Sequence, residues 1–147
     1  MLTLALAALM LAAGAPVAPG RPAYAEGQVW EYKTRAHEAG SRVRIHRMRD
    51  AREVGLTGTI YHVGIVGVRF EGPYATSGTI GHLPVSRATL DASVTRLADD
   101  QAIPFPPFEE GIAEWQRAQG GVFTISLAEV VDVAERALRD SAAEPVS

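Results

Sequence analysis

The chain has 147 residues, 47% of them apolar, and a formal net charge of −3, which suits one globular domain. It has no cysteine, so disulfides, thiolate metal sites and cysteine nucleophiles are excluded. Charge is uneven: residues 26–70 carry eight basic and five acidic side chains, residues 71–147 five basic and twelve acidic. With the whole chain acidic, this asymmetry does not point to nucleic acid.

The first 25 residues differ from the rest. Leu2 to Ala13 is apolar apart from Thr3, and Ala23-Tyr24-Ala25 has the small-x-small form of a signal-peptidase site. Twelve apolar residues fall short of the ~20 that span a bilayer. The expected organisation is a signal peptide over 1–25, one domain over 26–140 and a frayed tail over 141–147. The expected location is the periplasm or the medium. A misassigned start, with a cytoplasmic protein beginning near Tyr24, is the alternative.

Gln28 to Arg35 alternates as a half-buried strand, with Trp30 and Tyr32 on one face and Glu31, Lys33 and Arg35 on the other. Arg42 to Met48 is a second strand, and its alternation breaks at Arg47-Met48, which marks a bulge or an end. Thr57 to Phe70 is the central strand. Both its faces are apolar, so both need cover, and Gly64 and Gly67 mark bends. A Gly/Ser/Thr loop over 72–81 and a short strand over Thr79 to Leu83 follow.

Ser86 then reads as an N-cap, with Val85 and Leu90 as a hydrophobic staple and Leu90, Val94 and Leu97 as the helix's buried stripe. The proline-rich segment 103–107 is an extended connector anchored by Phe105. A helix over 107–119 carries Phe108, Ile112 and Trp115 on one face. Val122 to Ile125 is a short strand. Ser126 and Glu129 form a capping box, with Ile125 and Val130 as staple. The last helix, 127–139, turns Leu127, Val130, Val131, Ala134 and Leu138 inward. The order predicts an α+β fold: a mostly antiparallel sheet of four or five strands with about three helices on one side. A curled half-barrel with a helical lid is the alternative.

Chemistry is sparse. The four histidines offer no metal-ligand spacing and no HExxH, and neither a nucleophile elbow nor a phosphate loop is present. No metal or cofactor is expected. Two surfaces remain. Lys33, Arg35, Arg42 and Arg44 make a basic strand face suited to a protein or polyanion partner. Ser77, Gly78, His82 and Arg87 make a small-residue loop beside a helix start, suited to an anion.

Three stretches, GQVWEYKTR (27–35), SRATLDASV (86–94) and FEEGIAEWQRAQGGVFTISLAEVV (108–131), together resemble small uncharacterised bacterial proteins, a resemblance of pattern that implies no activity and carries over no residue. The leading expectation is a small exported, non-enzymatic binding protein of the cell envelope. The alternatives are an immunity-like inhibitor of a toxin or hydrolase, acting through Glu109, Glu110 and Glu114, and an enzyme with its site near His62 and His82.

Overall fold

A computed structural model describes residues 22–72 and 78–143. Residues 1–21 of the leader, Ser77 and the tail from 144 lie outside the described residues. Five strands form one antiparallel sheet: β1 (Val29–Tyr32), β2 (Arg42–Asp50), β3 (Thr59–Val66), β4 (Thr79–Ser86) and β5 (Val94–Leu97). Their order is β4-β3-β2-β1-β5. The helices are α1 (Arg87–Ser93), α2 (Glu109–Arg117) and α3 (Leu127–Ala143). The fold is α+β, and β1 to β4 are a simple meander, as short connections favour.

β3 is buried along nearly its whole length, so it needs cover on both sides. On one side, the core face, Tyr61, Val63 and Ile65 pack with Leu90 of α1 and with Leu127, Val130 and Val131 of α3. On the other, the reverse face, Trp115 and Gly111 of α2 lie against His62 and His82. The helices are thus divided between the two faces rather than gathered on one. Tyr24, which the sequence assigns to the leader, is built into the core: its ring meets Trp30 and Tyr61 edge-on, and its hydroxyl donates to Asp91 at 2.8 Å.

Local signals hold at both caps. Ser86 Oγ accepts from Thr89 N at 3.2 Å, and Val85 and Leu90 are fully buried beside it. Glu129 accepts from Ser126 N at 3.0 Å while Ser126 Oγ accepts from Glu129 N at 3.3 Å, a reciprocal box. Of its expected staple, Val130 is buried while Ile125 is exposed.

Other expectations are corrected. The helix from Ser86 stops at Ser93, and Val94–Leu97 is a strand. Its backbone pairs with the otherwise open edge of β1, a tertiary partner that outweighs helical spacing. Leu97 is therefore exposed. The strand expected over 122–125 reduces to one bridge between Phe123 and Val85. In α3 Leu138 is exposed and Glu135 is buried in its place, because Arg35 reaches Glu135 Oε1 at 2.7 Å.

Candidate functional site

Two bulges assemble the site. In β2, His46 is an extra residue between the pairs Ile45–Val63 and Arg47–His62. In β4, Gly81 and His82 together lie opposite Gly64, between the pairs Val63–Leu83 and Ile65–Ile80. Each extra residue shifts the side-chain alternation by one. Val43 and Ile45 before the first bulge and Met48 after it all reach the core, as do Ile80 before the second and Leu83 after it. The reverse face collects what is left: Arg44, His46 and Arg47 from β2, His62 from β3 and His82 from β4.

The rings are closely placed. His62 Nδ1 and His82 Nε2 are 2.7 Å apart and share one proton. Trp115 meets the His62 ring edge-on at 4.9 Å. The His46 ring lies flat on Phe108, with centroids 4.1 Å apart, and Phe105 meets it edge-on at 5.9 Å. Two glycines leave room for them. A methyl group at Gly64 would lie 2.5 Å from His46 Nε2, and one at Gly111 2.6 Å from His82 Cβ.

The segment 103–108 straps across β2. Arg44 donates to the carbonyls of Gln101 and Ile103 at 3.0 and 2.9 Å and lies over the Phe105 ring at 4.5 Å. Arg47, exposed, lies over the Phe108 ring at 4.9 Å. Arg44's edge is spent on those two carbonyls, and Arg47 donates through one nitrogen to the His46 carbonyl at 2.9 Å; stacked and exposed, Arg47 is the guanidinium with donors left to meet a planar anion. An open cleft of about 690 Å³ runs along this line, lined by Arg44, His46, Arg47, Phe105 and Phe108 and also by the carboxylates Glu26 and Glu109. A second cleft, about 510 Å³, lies between His82, Pro84, Trp115, Val122 and Phe123.

Burial lowers all three histidines. His46 falls to about 4, chiefly through desolvation and then through Arg44, His82 and Arg47. His62 falls to about 4 through desolvation, His82 and Arg49. His82 is lowered by burial. All three are neutral at pH 7. Nε2 of His46, Nε2 of His62 and Nε of Arg44 are buried without a hydrogen-bond partner. Among the described residues no three His, Asp or Glu side chains converge as a site for a metal ion.

The expected basic face does not come together as one open surface. Lys33 is exposed. Arg35 follows the end of β1 and is turned inward, bonded to Glu38, Asp132 and Glu135 at 2.7, 3.1 and 2.7 Å. It ties the loop after β1 to α3. Arg42 pairs with Glu31 at 3.4 Å and donates to the Ser41 carbonyl at 2.8 Å. Of the four, Arg44 alone lines the cleft. The expected anion loop is also dispersed. Gly78 and Arg87 flank opposite ends of the eight-residue β4, roughly 25 Å apart. His82 is turned to His62, and Arg87 donates to the Pro22 carbonyl at 2.5 Å and stacks on Tyr24.

Sequence reading groups Arg47 and His46 with the basic residues of the second strand but passes over Phe105, Phe108 and Trp115 as parts of a site. The signal for them is faint: a strand whose alternation breaks beside a histidine, and a proline-rich segment with an aromatic residue near each end. No family model, no curated protein and no solved structure matches the chain. Among the described residues no helix is long and apolar enough to cross a membrane.

Proposed function

We propose that this is a non-enzymatic binding protein of the cell envelope whose cleft between β2 and the strap 103–108 grips an acidic segment of a protein partner. The observation that carries the reading is the pair of arginine–phenylalanine stacks, Arg44 on Phe105 and Arg47 on Phe108, set along one open cleft. Aromatic rings give a rigid apolar floor, and an ordered guanidinium meets a carboxylate with little further loss of side-chain freedom. Of the two carboxylates in the cleft, Glu26 accepts from Met48 N at 2.8 Å and Glu109 from Phe108 N at 3.3 Å. The envelope location rests on the apolar run of the leader alone, since a cut after Ala25 would remove Tyr24 from the core.

The test is calorimetric titration with a glutamate-rich peptide carrying one aromatic residue, at low and at physiological salt. Binding should weaken steeply with salt, since Arg47 is exposed and its charge is screened, and Arg47→Glu should abolish it. Binding indifferent to both salt and Arg47→Glu would overturn the reading.

A further inference from the structure

The three histidines lie at a boundary between two unequal parts of the protein. Below them is the sheet, anchored from its core face by α1 and α3. Above them are the strap and α2, in which Ile112 is the single buried side chain. Segments with few buried apolar groups open at lower free energy than the core. The histidine rings hold this part down at three points, Phe108 on His46, Trp115 on His62 and Gly111 on His82, beside the arginine contacts of the strap.

We propose that His46, His62 and His82 form an acid-operated latch, whose protonation releases the strap and α2 from the reverse face while the sheet and its core stay folded. The latch operates in the protein with its cleft empty.

The chemistry follows from the hydrogen-bond count. A neutral imidazole has one donor and one acceptor; an imidazolium has two donors and needs two acceptors. His62 and His82 face each other nitrogen to nitrogen at 2.7 Å, with one proton between them. A further proton at that contact sets two N–H groups head to head, and the contact must part. His46 and His62 each have a buried Nε2 with no acceptor in reach. A proton there leaves an unpaired buried charge.

The surrounding charges favour release. Arg44 and Arg47 of β2 and His82 of β4 act on His46, and Arg49 of β2 and His82 act on His62, all of them positive or becoming so. Glu109, in the first turn of α2, opposes them as the weakest of the named influences on His46. The strap adds no charge, and α2 otherwise presents Gly111 and Trp115.

The direction is fixed by linkage. A histidine held below its free value binds its proton more readily once released, so acid favours the open form. The latch is fully closed above about pH 6.5, weakens as pH falls, and changes no further once pH is below the closed-form values of about 4. Near pH 4.5 freeing His46 or His62 shifts the opening equilibrium on the order of ten- to a hundredfold each, and His82 acts in the same direction.

Hydrogen exchange on the full chain, expressed as protection factors, tests this at pH 7 and about pH 4.5. Peptides from 103–118 should lose at least about tenfold protection while those from 127–141 and 59–66 keep theirs. Equal protection at both pH values, or loss in all three regions together, would overturn it. His82→Gln, which keeps a hydrogen-bonding group beside His62 but cannot be charged, should move the opening midpoint to lower pH. An unmoved midpoint would also overturn the proposal. If that variant does not fold at pH 7, the profile of the unaltered chain decides alone.

Discussion

On the core face of the sheet, Val43, Ile45, Val63 and Ile65 meet Leu127 and Val130 with no exposed surface and no polar atom among their side chains. On the reverse face, equally buried positions hold His46 and His62, with nitrogen atoms that find no partner. The first face is held by burial of apolar surface, which has no group to titrate and no charge for salt to screen. The second is held by ring stacking, guanidinium contacts and one shared proton, all of which depend on charge state. One sheet thus keeps its stability on one side and its chemistry on the other.

Three substitutions separate the faces. Leu127→Ala, in the core, should cost roughly 2–5 kcal/mol of global stability by denaturant unfolding. Gly64→Ala, on the reverse face, should cost about 1–3 kcal/mol by forcing the His46 ring off Phe108, with exchange protection lost first in α2. If Gly64→Ala costs as much as Leu127→Ala and melts the whole protein, the two faces are one cooperative unit and the division fails. Ser86→Ala should cost about 1 kcal/mol through the lost cap on Thr89 N. It should leave the reverse face untouched, as measured by the salt dependence of peptide binding.

Local features were legible in the sequence. Ser86 and the Ser126–Glu129 box are fixed by residues three apart, and the meander follows from alternation and short connections. What failed depended on distant partners. Leu90, Val94 and Leu97 fit a helical stripe, yet Val94–Leu97 lies beside β1, which needed a neighbour. Arg35 alternates as a surface residue, but β1 ends at Tyr32 and frees the chain to turn it toward α3. The histidines were hardest. His46, His62 and His82 are far apart in sequence, and strand register alone places them together. The break at Arg47-Met48 was visible; that it was the outcome of an extra residue at His46, echoed in β4, was not.

Those two bulges have a consequence for how such a domain can change. Each acts as a one-residue insertion that returns the strand to its core phase a step later, so the hydrophobic pattern resumes unbroken beyond it. A strand built this way acquires an additional outward position without giving up an inward one. The reverse face can gain or lose a functional side chain by single-residue insertion or deletion at the bulges, with the core pattern beyond them re-phased each time as the control on what is tolerated. The sheet is in this sense writable on one side.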